Sequence, residues 1–196
     1  MQLSKPINRS LEASSDPEAN LVLAAQKNPT EFQWIYDRWA VPIYQYFCFR
    51  TGESTSAEDL TSQLFLSAFQ ALPRYQHRGH FAAWLFAIAR NLSKEYFRKS
   101  HREVPLEAAN HLLAMSDPSL EAAQQDEIVR LRRMVQSLPE EDQELIRLRY
   151  VADLSFADMA IILKKREDAV KKALYRLQAR LQSALIEGNL LEEKHD

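Results

Sequence analysis

The sequence predicts an all-α protein built from two small helical domains. Only three of its 196 residues are glycine, and the residues that punctuate strands and hairpins are scarce. Runs that alternate apolar and polar residues, as half-buried strands do, are hard to find. Helix formers such as Ala, Leu, Glu, Gln, Arg and Lys dominate instead. The length allows one compact domain or two small ones, and the distribution of charge favours two.

Charged residues divide the chain into two mildly basic blocks and an acidic connector. Residues 18–102 carry ten Lys or Arg and seven Asp or Glu, and residues 128–187 carry twelve and nine. Between them, residues 103–127 carry six Asp or Glu and no Lys or Arg. This distribution suits two anion-binding modules joined by a flexible acidic linker that avoids the anion. Ordinary variation of surface charge is the alternative explanation.

These blocks define the expected domain boundaries. We expect a disordered tail over 1–17, a helical domain over 18–102, a linker over 103–127, a second helical domain over 128–187, and a tail over 188–196. The polar N-terminus lacks the apolar core of a signal peptide, and no apolar run approaches the roughly 18 residues needed to cross a bilayer. A single cysteine, Cys48, excludes an internal disulfide and fits a reducing compartment. We therefore expect a cytoplasmic protein that does not contact membranes.

The first two helices are indicated by their boundary residues. Asp16-Pro17-Glu18 provides an N-cap, a proline at the first helical position and an acid in the first turn. That helix is expected to end before Asn28-Pro29. A second helix begins near Thr30 with apolar residues at helical spacing, and Pro42 is expected to kink or break it.

Two further helices complete the first domain. Ser56 is the predicted N-cap of the third helix, with Asp59 three residues on, close to a capping box. Leu60, Leu64, Ala68 and Leu72 form its predicted buried stripe, and Pro73 ends it. The fourth helix is expected from about Phe81 to Arg102.

The segment Arg74–Arg102 has a pattern typical of single-stranded nucleic-acid binding. It contains seven Lys or Arg, one acid (Glu95) and interleaved aromatic residues. On the predicted helix, apolar residues share one side, and Arg90, Lys94, Arg98 and Arg102 share another. Stacking on an aromatic ring beside a cationic groove is how single strands are held. Tyr75, in a basic loop, is the stacking candidate, whereas Trp84, Leu85 and Ile88 are expected in the core. A simple solvated face is the alternative for the basic stripe.

The second domain predicts a helix-turn-helix. Leu138-Pro139-Glu140-Glu141 marks a helix start with acids in its first turn. A short helix over Ser155–Leu163 is followed by the turn Lys164-Lys165-Arg166 and by a last helix from about Glu167 to Ile186. The last helix carries Val170, Leu174, Leu177 and Leu181 on one face and Lys171, Lys172, Tyr175, Arg176 and Arg180 on the other. A basic second helix of this kind can enter a major groove. A generic helical hairpin is the alternative.

No catalytic set emerges from the sequence. His77 and His80 lack partners at metal-ligand spacing, no glycine-rich phosphate loop is present, and Cys48 is expected to be a buried apolar residue. We therefore expect no metal, no cofactor and no enzymatic activity. The outward face of the third helix, formed by Asp59, Gln63, Ser67 and Gln70, is polar and nearly uncharged, which suits either protein docking or plain solvation.

At these segments the sequence resembles the extracytoplasmic-function group of RNA polymerase sigma factors. Residues 57–65, Ala-Glu-Asp-Leu-Thr-Ser-Gln-Leu-Phe, are similar to the family's polymerase-binding helix. Residues 81–91, Phe-Ala-Ala-Trp-Leu-Phe-Ala-Ile-Ala-Arg-Asn, resemble its most recognisable signature. Residues 138–150 and the helix-turn-helix are similar to its C-terminal domain. The sequence departs from the family's usual residues at three places: Ser62, the glycine-free turn at 164–166, and Asp168-Ala169.

The resemblance implies a division of labour between the two domains. Asp59 and Gln63 would face the clamp helices of core RNA polymerase. Tyr75 and Asn91 would capture a base of the melted minus-ten element, whose backbone Arg90, Lys94, Arg98 and Lys99 would hold. Lys171, Lys172, Tyr175 and Arg176 would contact the minus-thirty-five element as duplex. The implied partners are core polymerase, promoter DNA and, as for many relatives, an inhibitory anti-sigma protein.

Two other functions remain open from the residues alone. A stand-alone helix-turn-helix regulator would bind duplex DNA tightly and with strong salt dependence in the absence of polymerase. A helical adaptor would bind only protein and would tolerate reversal of the charges at Lys171, Lys172 and Arg176.

Overall fold

All regular elements of the described chain are helical, as the sequence predicts. A computed structural model describes residues 17–100, 130–131 and 133–192. The expected linker, residues 103–127, lies outside this range, as does most of the predicted N-terminal tail. The described residues form two helical units, one before and one after the linker.

The first unit contains four α-helices. They are α1 (Pro17–Lys27), α2 (Phe32–Thr51), α3 (Ser54–Ala71) and α4 (Phe81–Ser100), with short 3-10 turns at Pro29–Glu31 and Leu72–Arg74. Asn28 caps the first of these turns, its side chain accepting a hydrogen bond from the Thr30 amide at 3.2 Å. Gly52 ends α2 in the left-handed conformation, at φ 71°, which glycine adopts without strain.

The expected break at Pro42 does not occur, because α2 runs continuously from Phe32 to Thr51. A proline inside a helix costs roughly 3 kcal/mol through its missing N–H and its steric clash with the preceding turn. Buried side chains lie on both sides of Pro42, with Trp39 before it and Ile43 and Tyr46 after it. The burial of these side chains offsets the local cost, so packing overrides the sequence signal.

The predicted cap of α3 is also wrong. The helix begins at Ser54, two residues before Ser56, and its N-cap Glu53 makes no side-chain capping hydrogen bond. Ser56 Oγ instead donates to Glu53 Oε2 at 2.8 Å and lies 3.0 Å from the Tyr96 hydroxyl on α4. Ser56 therefore links two helices of the unit rather than starting one. The predicted buried stripe of α3, from Leu60 to Leu72, is confirmed.

The core of the first unit is rich in aromatic side chains. Phe86 of α4 is fully buried and meets Trp39 and Tyr46 of α2 edge-on, at ring-centroid distances of 6.1 and 5.6 Å. Cys48 is buried, as predicted, and burial raises the pKa of its thiol. Edge-to-face rings contribute roughly 0.5–1.5 kcal/mol beyond the area they bury.

The second unit contains three named helices. They are α5 (Glu140–Ile146), α6 (Phe156–Leu163) and α7 (Glu167–Glu192), with a π-helical turn at Arg147–Val151 after α5. Residues 130–131 and 133–136 are also helical. The last helix extends beyond the predicted end at Ile186. Gly188 lowers helix propensity by about 1 kcal/mol but keeps its hydrogen-bond donor, so it does not terminate the helix.

The two units pack against each other. The π-helical turn lies against α2, and α6 lies against α4. The buried apolar side chains of both units form one continuous cluster. Among the helices described, none has the length and apolar composition that crossing a membrane requires.

Candidate nucleic-acid interface

The loop between α3 and α4 places Tyr75 on an aromatic cluster. The Tyr75 ring is half-buried and lies 4.6 Å from the Trp84 ring and 5.6 Å from the Phe81 ring. Gln26 Nε2 fixes the loop by donating to the carbonyls of Leu72 and Tyr75, at 2.8 and 2.7 Å. This arrangement holds a partly exposed aromatic surface in a defined position, which is what stacking of a base requires.

Of the three residues that the sequence placed in the core, only Leu85 is fully buried. Trp84 and Ile88 are partly buried and pack on the edge of the core. Trp84 lies beside the Tyr75 ring, and Ile88 follows it one turn later on α4. Trp84 therefore belongs to the aromatic cluster, a role that its helical spacing could not distinguish from a core role.

The basic residues of α4 fall into two groups with different surroundings. Arg98 and Lys99 are exposed near the end of the helix and lie 4.0 and 2.7 Å from Glu95. The hydrogen bond from Lys99 lowers the pKa of the Glu95 carboxyl. Such exposed pairs are weak, so both cations remain accessible to another anion. Asn91 is also exposed on this helix.

Arg90 and Lys94 instead face the second unit. Arg90 Nη1 donates to the Ile162 carbonyl at 3.2 Å, and its Nε lies 3.6 Å from Glu144 Oε1. Lys94 lines a cavity of about 90 Å³ between the units, together with Arg50, Arg90, Glu140, Glu141 and Glu144. The structure thus places two of the predicted strand-binding cations beside acids of α5.

A buried polar network, which sequence reasoning missed, lies at this junction. Glu144 is 4% exposed and accepts hydrogen bonds from the Tyr46 hydroxyl at 3.0 Å and from Arg147, itself 4% exposed, at 3.0 and 3.1 Å. Burial, together with the neighbouring Glu144 carboxylate, raises the pKa of Tyr46 well above its ordinary value. Arg147 also contacts Glu140 and Gln143. Glu144 and Arg147, whose sequence spacing is typical of an exposed helical pair, are therefore part of the interior.

Of the four residues predicted on the outward face of α3, Asp59, Gln63 and Gln70 are exposed and Ser67 is half-buried. Gln63 lines a cavity of about 300 Å³ between α3 and α4, with Leu60, Leu92, Glu95, Tyr96 and Lys99. Two large apolar side chains on the same helix, Leu66 and Phe69, are 59% and 43% exposed. A surface that combines polar groups with exposed large apolar groups is typical of protein docking.

The helix-turn-helix forms without the usual glycine in its turn. Ser155 caps α6 by accepting from the Asp158 amide at 3.1 Å. Lys164 takes the left-handed conformation at φ 54°, where a side chain costs roughly 1–2 kcal/mol. The Lys165 amide then donates to the Ala160 carbonyl at 3.0 Å. Backbone hydrogen bonds thus close the turn, although a lysine at the left-handed position does not favour it.

The outward side of α7 carries the predicted duplex-binding residues. Lys172, Tyr175 and Arg176 are exposed, while Val170, Leu174 and Leu177 on the opposite side are buried. Lys171 is half-exposed, and its hydrogen bond with Glu167 raises the pKa of its ammonium group. Its Nζ also lies 5.5 Å from the centre of the Phe156 ring. The face is cationic and unobstructed around Lys172 and Arg176.

No metal site is found in the part of the chain that the structure describes. His80 Nδ1 lies 2.9 Å from Asp158 Oδ1 on α6. This histidine therefore contributes a contact between the two units.

Comparison with known proteins identifies both units. Residues 35–103 match the family model "Sigma-70 region 2", and residues 128–181 match "Sigma-70, region 4". The ECF RNA polymerase sigma factor BldN of Streptomyces coelicolor is 32% identical over 80% of this chain. The ECF RNA polymerase sigma factor SigM of Bacillus subtilis is 27% identical over 79% of it. The chain spans 61% of the length of BldN and 94% of SigM.

A solved structure shares the fold. The structure of CnrH in complex with the cytosolic domain of CnrY superposes with a TM-score of 0.63 at 23% identity, covering 86% of this chain and 96% of that one. The two family models match in the order region 2 then region 4, on either side of the acidic connector. The chain is thus a member of the sigma-70 family, in its extracytoplasmic-function group.

Proposed function

We propose that this protein binds core RNA polymerase and directs promoter-specific initiation of transcription. The observation that carries the proposal is that the two units present two different cationic surfaces, each suited to one form of nucleic acid. The first combines the Tyr75 aromatic cluster with the cations of α4, which suits a melted strand. The second is the helix-turn-helix with the exposed face of α7, which suits duplex DNA. The domain boundaries of the sequence analysis are part of this proposal.

The residue roles follow from this division. Tyr75 and Asn91 would capture a base of the minus-ten element, and Arg90, Lys94, Arg98 and Lys99 would hold its backbone. The duplex of the minus-thirty-five element would meet Lys171, Lys172, Tyr175 and Arg176. Asp59 and Gln63 would dock on polymerase. The protein would act in the cytoplasm as a binding factor, and polymerase would supply the catalysis.

A protein partner that controls access to these surfaces is also proposed. The structural relative CnrH was solved together with the cytosolic domain of CnrY. The exposed apolar side chains of α3, Leu66 and Phe69, give such a partner an apolar contact area on the polymerase-docking side. We therefore include an anti-sigma protein among the partners of this chain.

Run-off transcription with purified core polymerase tests the proposed function. We expect promoter-specific transcripts from native templates only when both proteins are present. The alternative, a stand-alone helix-turn-helix regulator, predicts tight and salt-sensitive binding of duplex DNA by the isolated chain. Strong sequence-specific binding without polymerase, combined with no run-off product, would support that alternative.

Replacing Tyr75 with alanine is expected to impair promoter melting. Stacking of one base on an aromatic side chain contributes roughly 1–3 kcal/mol, so the population of open complexes should fall by about 5- to 150-fold. Tyr75→Phe keeps the ring and should retain most activity. Permanganate reactivity of melted thymines measures the effect. Equal loss in both variants would contradict a stacking role.

Charge reversal on α3 is expected to weaken polymerase binding. Asp59→Lys should reduce the affinity for core polymerase by about tenfold, which corresponds to roughly 1.4 kcal/mol. The neighbouring exposed acid offers a matched control, because Glu58→Lys makes the same charge change about 100° away around the helix. Surface plasmon resonance with immobilised core enzyme distinguishes the two. Equal weakening by both would indicate a general charge effect instead of a docking contact.

A further inference from the structure

The ring of Phe156, the first residue of α6, lies beside two cations of the second unit. The guanidinium carbon of Arg149, in the π-helical turn, is 4.9 Å from the ring centre, and Lys171 Nζ, on α7, is 5.5 Å from it. The Tyr175 ring meets the same ring edge-on, at a centroid distance of 6.1 Å. Phe156 is therefore in contact with side chains from two other elements, and two of these, Lys171 and Tyr175, are assigned to duplex DNA by the proposed function.

An aromatic ring can hold two cations near each other on a surface. The face of the ring attracts a cation because its π electrons carry negative charge density, and this attraction offsets part of the repulsion between the two positive charges. The ring is uncharged, so it holds a cation without neutralising it. A carboxylate in the same place would instead cancel the charge that attracts a phosphate.

Arg149 is held by uncharged partners of this kind. Its Nη1 donates to the Leu154 carbonyl at 2.7 Å, and its guanidinium lies over the Phe156 ring. Because both of these partners are uncharged, the guanidinium keeps its positive charge while its position is fixed. Arg149 is half-buried and lies outside α7, so the periodicity of α7 could not indicate it as part of the duplex-facing surface.

Lys171 has a charged partner as well as the ring. Glu167 Oε1, one turn earlier on α7, is 2.7 Å from Lys171 Nζ, and the two side chains are 45% and 40% exposed. Exposed pairs of this kind contribute little and weaken with salt. A phosphate can therefore displace Glu167 from the ammonium group. The Phe156 ring does not compete with the phosphate and keeps the ammonium group in place.

We propose that Phe156 is a positioning residue of the duplex-binding surface, whose ring holds the cations of Arg149 and Lys171 in place for the DNA backbone. This inference rests on the proposed function for the identity of the polyanion. It adds Arg149 to the residues that meet the duplex. It also gives Phe156 a role beyond its apolar contact with the edge of the core.

Removing the ring while keeping an apolar side chain tests the positioning role. Phe156→Leu should lower the affinity of the complex of core polymerase and full-length chain for a fluorescein-labelled promoter duplex by about 5- to 30-fold, the effect of losing two exposed cation–π contacts. Phe156→Tyr keeps the ring and should retain the affinity within about twofold. An equal loss in both variants would overturn the proposal.

A double-mutant cycle distinguishes positioning from packing. In a chain that carries Arg149→Gln and Lys171→Gln, Phe156→Leu should cost less than about twofold more, because no cation is left to position. A full further loss in that background would show that the ring acts through packing alone. The matched control is Leu163→Val at the other end of α6, which is also half-buried on the edge of the core and should stay within about twofold of the parent.

Proton resonance reports on the positioning without DNA. Methylene protons held over an aromatic ring resonate upfield of their ordinary positions, because the ring shields them. We expect upfield signals from the side-chain methylenes of Arg149 and Lys171 in the isolated parent and in Phe156→Tyr, and ordinary positions in Phe156→Leu. Ordinary positions in the parent would overturn the proposal.

Run-off transcription separates this inference from the proposed function. If initiation proceeds while Phe156→Leu leaves the duplex affinity and the methylene signals unchanged, the positioning role is wrong and the proposed function stands. If no protein supports initiation, the proposed function is wrong. The positioning role then still stands if Phe156→Leu moves the methylene signals and weakens binding of the isolated chain to a random-sequence duplex.

Discussion

Replacing Arg147 with alanine is expected to lower the free energy of unfolding by about 3 kcal/mol. Arg147 and Glu144 are both buried, and two guanidinium nitrogens of Arg147 donate to the same carboxylate oxygen at 3.0 and 3.1 Å. Removing one partner of a buried pair costs roughly 3–5 kcal/mol, because the other charge stays buried and uncompensated. Tyr46 and Arg90 still contact Glu144, which places the expected loss at the lower end.

The control for this prediction replaces both charges. Glu144→Leu with Arg147→Met substitutes apolar side chains of similar volume, and such replacements are often neutral or stabilising. Urea unfolding followed by circular dichroism measures both variants. A loss below 1 kcal/mol for Arg147→Ala would show that water reaches the carboxylate and that the network is not an interior one. Arg147→Lys should recover little, because an ammonium group cannot reproduce the planar fork of donors.

The polar network could not be predicted from the sequence, because its members lie far apart along the chain. Glu144 and Arg147 are three residues apart in a charged segment, which is the usual spacing of an exposed helical pair. Tyr46, a buried partner of Glu144, lies 98 positions earlier in the chain. Only the packing of α2 against the π-helical turn makes this segment interior. A pattern within one helix carries no information about such a contact.

Sequence patterns predict a helix start correctly where hydrogen bonds within the same few residues determine it. The sequence predicts a short helix beginning at Ser155, and the Ser155 side chain caps α6 by accepting from the Asp158 amide three residues later. Ser56 has the same pattern but lies within α3, because its hydroxyl bonds to Glu53 and contacts Tyr96 instead. At Pro42, too, packing outside the local segment decides the structure. Burial of the flanking side chains outweighs the helix-breaking effect of the proline. Sequence therefore predicts the elements better than their ends.

For the proposed site residues, the sequence predicts exposure but not the neighbouring groups. Exposure of Asp59, Gln63, Lys172 and Arg176 follows from helical periodicity alone, and the structure has all four exposed. The surroundings of Arg90 and Lys94 do not follow from periodicity, because acids from α5 approach them across the unit boundary. Periodicity gives the face of a helix on which a residue lies, and tertiary packing decides what covers that face.

Reversing two charges on α7 is expected to abolish most promoter-dependent transcription. Lys172 and Arg176 lie one turn apart on the exposed side of the helix, and Arg176 Nε donates to the Lys172 carbonyl at 3.1 Å. Each contact of such a side chain with a base edge or phosphate contributes about 1–3 kcal/mol. Lys172→Glu with Arg176→Glu removes two contacts and adds repulsion. We expect the run-off product to fall by at least about 100-fold.

Two comparisons make this result specific to the surface. Lys27→Glu with Arg38→Glu changes the net charge equally at exposed positions of α1 and α2, and it should retain transcription within a few-fold. Neutralisation by Lys172→Gln with Arg176→Gln should lower the salt dependence of promoter binding by the polymerase complex, by about one logarithmic unit of slope per lost phosphate contact. Because both positions are exposed, circular dichroism should show unchanged unfolding in all of these variants. If the reversed variant transcribes as well as the control, α7 does not contact promoter DNA, and recognition must rest on the first unit alone.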